Sequence, residues 1–306
     1  MKKIVFLMLT AAALAPGASF YLTVAGLGGE ADYEQQFSGW ASDADKALAV
    51  EKGAKVETLS GANATRANIQ AKLSAIAAQS KPADTFVLLL MGHGSFDDLD
   101  YKFNIPGQDI SAADLKFALD AIPARQLVVL ATSASGGAIE RLKKDKRVVV
   151  AATRAGSERN ATKFARFWVE ALRDPAADAD KNLTVTALEA YKYAQAKTQE
   201  FYKSQKRLAT EHSVLEDTGK KNGEAVPSVA NGQGLIATGF PLLHLGAAAA
   251  VLNDPAKQAL LKRREEIETK IDQLKYQKAS MTQSEYDRAM RPLVLDLARV
   301  QAEIDQ

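Results

Sequence analysis

Two stretches, Phe86-Val-Leu-Leu-Leu-Met-Gly-His93-Gly94-Ser95 and Leu127-Val-Val-Leu-Ala-Thr-Ser133-Ala-Ser-Gly136-Gly137, share one design. Each is an apolar run of strand length that stops abruptly in small residues and one chemically useful side chain. Runs without polar alternation are what strands buried on both faces of a parallel sheet require. In open α/β sheets, reactive groups gather where such strands end. A histidine at one strand end and a hydroxyl at the next are therefore expected to share a cleft, a geometry suited to nucleophilic hydrolysis.

The same grammar extends along most of the chain. Apolar runs at 20–25, 55–59, 85–91, 126–131 and 147–152 read as strands. Between them, helical spacing covers 33–51, with Tyr33, Phe37, Trp40 and Ala44 on one face, then 65–79, 111–121, 137–144 and 160–172. Strands alternating with helices predict right-handed crossovers and a mainly parallel sheet flanked by helices, an α/β fold. A further helix is expected over 186–209. Residues 211–239 are polar and rich in Gly, Lys, Asn and Glu and read as a loop excursion, with a mobile tip at 220–224.

The last fifty or so residues change period. Leu260, Ile267, Ile271 and Leu274 follow heptad-like spacing, as do Tyr286, Met290, Leu293, Leu297, Val300 and Ile304. Thr282-Gln-Ser-Glu285 is a capping box that starts a new helix, and Pro292 should kink it or shift its start. The expectation is a C-terminal α-helical hairpin, with a dimerising coiled coil as the alternative. The chain thus divides into a signal peptide (1–18), an α/β domain (19–210), a polar excursion returning to the core (211–250) and the hairpin (251–306).

Lys2-Lys3 followed by an apolar run to Ala15 and small residues through Ala18 has the form of a secretory signal. The run is too short for a confident membrane span, so a periplasmic or extracellular protein without a stable span after cleavage is expected. The chain of 306 residues has no cysteine, which excludes both a disulfide framework and thiol catalysis. A formal charge of +2 gives no electrostatic reason for a nucleic-acid partner.

A strand ending in His-Gly, followed by a strand ending in x-Cys-x-Ser-Gly, is the pattern of the caspase/legumain superfamily of cysteine peptidases. The chain resembles its legumain-like branch over about 20–209. Met91-Gly-His93-Gly94-Ser95 matches the histidine motif, and Ala131-Thr-Ser133-Ala-Ser135-Gly136 the nucleophile motif, with Ser133 in the cysteine position. Val24-Ala-Gly26 with Tyr33 beyond it matches the first strand and turn. The resemblance implies His93 as acid/base, Gly94 N–H as an oxyanion donor, and Ser133 as the replaced nucleophile. It also places Ser157 and Glu158 near the substrate's specificity side chain; the competing reading is that both cap the following helix. A thiol of pKa near ~8.5 supplies thiolate at neutral pH, whereas a serine needs a tightly bonded, oriented base. The expectation is a degenerate homologue that binds peptide or protein without cutting it. The alternative is an active Ser/His-dependent peptidase or amidase.

Residues 178–189 follow the spacing of a calcium-binding helix–loop–helix. Asp178, Asp180 and Asn182 take positions one, three and five, Thr184 offers its carbonyl, Thr186 acts through water, and Glu189 closes the site. Leu183 stands where such loops need glycine, so a solvated turn capping the next helix is the competing reading and calcium the one cofactor candidate. Gly26-Leu-Gly28-Gly-Glu-Ala31 formally matches a dinucleotide fingerprint, a minor alternative. His212 and His244 are assigned to solvent and to packing.

Overall fold

The computed structural model describes residues 17–51, 53–252 and 254–306; the signal-peptide expectation therefore falls almost wholly outside the described residues. The chain opens with strand β1 (Ser19–Ala25), helix α1 (Ala31–Leu48), strand β2 (Lys55–Leu59) and helix α2 (Arg66–Gln79). Thr65 caps α2 by accepting from Asn68 N–H. Strand β3 (Thr85–Gly92) follows, and then a small antiparallel meander, β4 (Gly94–Phe96), β5 (Tyr101–Phe103) and β6 (Ile110–Ser111). Ser111 and Asp114 form a capping box for α3 (Ala112–Asp120). Strand β7 (Arg125–Thr132), a 3-10 turn, the short helix α4 (Ile139–Leu142) and strand β8 (Arg147–Ala151) complete the expected alternation.

Helix α5 (Phe164–Ala171) begins later than its helical pattern, because its first N–H groups are capped from far along the chain. The Glu211 carboxylate accepts Lys163 N–H at 2.6 Å and Phe164 N–H at 3.1 Å. Strand β9 (Thr184–Thr186) leads into α6 (Ala187–Ser204), with a Thr186–Glu189 capping box at its start. Its end comes before residue 209, since Lys206 takes a left-handed φ of 52°.

The 211–239 segment is built, not loose. Strand β10 (Val214–Glu216) joins the sheet antiparallel to β8, and helix α7 (Leu235–Thr238) and strand β11 (Pro241–His244) follow. The tip expected to be mobile is pinned: the buried Glu216 carboxylate accepts from the backbone N–H of Thr218, Gly219 and Lys221 and from the Gln233 side chain. With the Thr218 hydroxyl and Lys220 N–H, six donors at one carboxylate can offset its burial. Helix α8 (Gly246–Val251) then precedes the hairpin helices α9 (Pro255–Gln277) and α10 (Gln283–Asp305). The Thr282–Glu285 capping box starts α10, and Pro292 lies inside it without ending it.

The main sheet has the order β10-β8-β7-β3-β1-β2, all parallel except β10. Alternate residues of its strands feed two cores. Tyr21, Val87, Leu89, Leu127 and Val129 pack with α1, α5 and α6; Leu22, Val24, Leu88, Leu90 and Val128 pack with α2 and α3. This double covering is why the strands read as continuous apolar runs. The hairpin carries its own small core of Ile267, Ile271, Val300 and Ile304, so the stripe that a coiled-coil dimer would use is covered within the chain. No helix among the described residues is long and apolar enough to cross a membrane.

Candidate functional site

Strands β3 and β7 are hydrogen-bonded neighbours with Gly92 opposite Thr132. His93 and Ser133, the next residue of each, therefore leave the sheet at the same edge. Ser133 is 2% exposed. Its Oγ accepts Gly94 N–H at 3.1 Å and donates to the Gly94 carbonyl at 3.2 Å. The residue expected to hold an oxyanion thus binds the serine instead.

The His93 ring goes elsewhere. It lies edge-on to Tyr33 and Phe37, at centroid distances of 4.9 and 5.1 Å. Burial lowers its pKa, outweighing the opposing influence of the Gly28 backbone and of the Glu30 charge, and so favours the neutral imidazole. Among the described residues no hydrogen bond joins this ring to the Ser133 hydroxyl. The sequence placed Tyr33 and Phe37 only on a core-facing stripe; their one-turn spacing on α1 is the signal that they could grip a common group.

The turn after β7 is tightly enclosed. Tyr101 on β5 bonds through its hydroxyl to Thr132 Oγ1 at 2.6 Å. A Cβ on Gly94 would lie 2.5 Å from the Tyr101 ring and 2.6 Å from the Ser133 carbonyl oxygen, so position 94 admits no side chain. Ala134 adopts a left-handed φ of 55° and donates its N–H to the Glu158 carbonyl at 2.8 Å. Thr153 Oγ1 accepts Gly136 N–H at 2.9 Å. These contacts wrap the 153–158 segment around the nucleophile-position turn. Ser157 is exposed there, while the Glu158 carboxylate is engaged with Arg154 N–H and with both the backbone and Nδ1 of His212. His212 is therefore held by an acid, not simply solvated.

In the 178–189 loop, carboxylate oxygens of Asp178, Asp180 and Glu189 all lie within 4.8 Å of one another. Leu183 has a φ of 65°, the left-handed turn that glycine serves in such loops. Val185 is fully buried and pairs with Leu243 of β11. Asn182 accepts Thr184 N–H through its side-chain oxygen, and Glu189 accepts Ala179 N–H and the Thr186 cap. A cleft of about 320 Å³ separates this loop from α9 and is lined by Asp180, Glu189, Glu265, Glu268 and Asp272. Burial pushes the Glu268 carboxyl up to about 7; Arg264 opposes this, and the charges of Asp180, Glu265 and Asp272 add to it.

The dinucleotide fingerprint has a different use. Gly28 N–H donates to Glu34 Oε2 at 2.8 Å, and the first turn of α1 also carries Asp32. A carboxylate of the chain stands where a pyrophosphate would need to sit.

No family model matches the chain, and no curated protein matches it. Among solved structures, it is similar to protein GSU0716 from Geobacter sulfurreducens, with 13% identity, a TM-score of 0.45, and coverage of 67% of this chain and 94% of that one. Caspase-1 from Spodoptera frugiperda gives 12% identity, a TM-score of 0.45 and coverage of 67% and 88%. The Drosophila initiator caspase Dronc gives 14%, 0.44, and 67% and 81%. These likenesses identify no activity or substrate for this chain.

Proposed function

We propose that this protein is an exported, catalytically degenerate homologue of caspase/legumain-type peptidases that binds peptide or protein at the His93–Ser133 edge of its sheet. The observation that carries the reading is the bonding of Ser133. A serine nucleophile must pass its proton to a base in the same step that forms the new bond. Here the proton of a buried hydroxyl is directed to the Gly94 carbonyl, and the imidazole packs edge-on to two aromatic rings. Gly94 N–H, the oxyanion donor of the resemblance, is spoken for by the same hydroxyl. Export rests on the residues 2–18 pattern.

The test is labelling by a fluorophosphonate together with hydrolysis of a fluorogenic peptide library. Wild type should show neither, and Ser133→Cys should gain measurable cleavage because a thiolate needs no concerted base. Stoichiometric labelling of wild type, lost in Ser133→Ala, would instead establish an active serine hydrolase.

For the 178–189 loop we propose a bound calcium ion held by Asp178, Asp180, Asn182, the Thr184 carbonyl and Glu189, with Thr186 acting through water. The convergence of three carboxylates supports this, as does a backbone that reaches the required turn without glycine. The ion would supply charge neutralisation and order to the start of α6.

A further inference from the structure

Ala18 is built into the sheet although it precedes β1. Its carbonyl accepts Thr85 N–H at 3.0 Å, which opens the ladder between β1 and β3, and its N–H donates to Asp84 Oδ1 at 2.7 Å. Gly17, one residue earlier, is exposed. Asp84 itself is 7% exposed. Its other oxygen accepts Lys81 N–H at 2.7 Å, and its backbone carbonyl accepts Arg125 N–H at 3.0 Å.

Among the described residues no cationic side chain pairs with this carboxylate. The Arg125 guanidinium is directed to the Gly239 carbonyl and over the Phe240 ring. Two amide donors thus hold a buried negative charge that has no countercharge, a costly arrangement. A cavity of about 480 Å³ beside residues 17–19 is also lined by Glu51, Arg125, His244, Lys262, Glu265 and Glu266. Two of its acids are already taken: the His244 ring nitrogens lie 2.6 Å from Glu51 and 2.7 Å from Glu265, so His244 is held by acids and not by packing alone. Glu266 faces solvent. The buried acid left to receive a cation at Ala18 is Asp84.

Removal of the leader supplies that cation at the atom already in place. Ala15-Pro16-Gly17 puts small residues one and three positions before the Gly17–Ala18 bond, the form of a signal cleavage site. Pro16 directly after Ala15 disfavours a cut there, and a cut after Ala18 would remove the residue that opens the ladder. We propose that the leader is cut at Gly17–Ala18, one residue before the boundary expected from the sequence, and that the new α-ammonium of Ala18 forms an ion pair with the buried Asp84 carboxylate, tying the start of β1 to the start of β3. This rests on the export reading above. An export-pathway endopeptidase adds one water across the amide: its oxygen leaves with Gly17 as carboxylate, and both its protons go to the Ala18 nitrogen. That nitrogen need not move, since 2.7 Å already suits a charged N–H···O bond.

The cut is read by expressing the full chain in an exporting host and sequencing the N-terminus of the exported protein. Ala18 is the expected first residue. Export with any other first residue overturns the proposal and leaves export standing, whereas an uncut chain retained in the cell sinks the export reading and the cleavage with it. The ion pair is read separately, on protein made to begin at Ala18 by removal of a fusion tag. The midpoint of its α-amine acetylation rate against pH should lie at least about one unit above that of Asp84→Asn; coincident midpoints overturn the pair. Should Asp84→Asn fail to fold, a chain beginning at Gly17 is the reference. Its amine, one residue away from Asp84, should titrate about one unit lower than that of Ala18, and equal midpoints overturn the pair.

Discussion

Ala134 and Leu183 both sit in the left-handed region without being glycine, at a cost of roughly 1–2 kcal/mol each. Both lie at sites that the sequence marks out for chemistry, and each is held by neighbours: Ala134 by the Glu158 carbonyl, Leu183 by the Asp178 carboxylate that accepts its N–H at 3.0 Å. At Leu183 the strain shapes a loop whose carboxylates converge, so calcium should bind weakly, with a dissociation constant on the order of 10⁻⁴–10⁻³ M. Calorimetry checks this: wild type should give a saturable heat that Asp180→Asn weakens at least about tenfold, and flat traces for both would remove the site. Spacing and resemblance singled out His93, Ser133 and the loop acids as candidates. Their surroundings were not legible, because Ser133 bonds to Gly94 and His93 packs on Tyr33 and Phe37, contacts that exist only once strands, turns and α1 are stacked.

Among the elements, those with local signals were the ones the sequence revealed. Thr65, Ser111, Thr186 and Thr282 each cap a helix through a residue three positions on, and the five parallel strands announce themselves by double burial. The meander β4–β6 and strand β10 are two or three residues long and carry no period to detect. Strand β10 is further finished by a backbone exchange between Leu215 and Glu224, which covers its outer edge. In the hairpin, Val300 is fully buried between α9 and α10. Val300→Ala removes two methyl groups' worth of burial and should lower the hairpin's stability by about 2 kcal/mol. Exchange rates should rise in α9 and α10 alone; an equal rise throughout the sheet would show that the hairpin is not a separate unit.

For the molecule as a whole, the arrangement is a doubly covered sheet with a separately cored hairpin at one side. A chain ending at Leu252 should therefore keep a cooperative unfolding transition and its sheet circular-dichroism signal, with Tm lowered by about 10 °C as the seam with α9 is exposed. Loss of cooperative unfolding in that chain would mean the cores are interdependent. The sequence by itself determined the α/β class, the strand order's parallel logic, the capped helices and the two strand ends that carry His93 and Ser133, since each depends on periodicity or on residues within one turn. Only the tertiary structure decided how those groups bond: that Gly94 claims the serine, that Glu211 caps a helix nearly fifty residues away, and that His244 joins Glu51 to Glu265. Such contacts depend on distances between segments remote in the chain, and no local pattern encodes them.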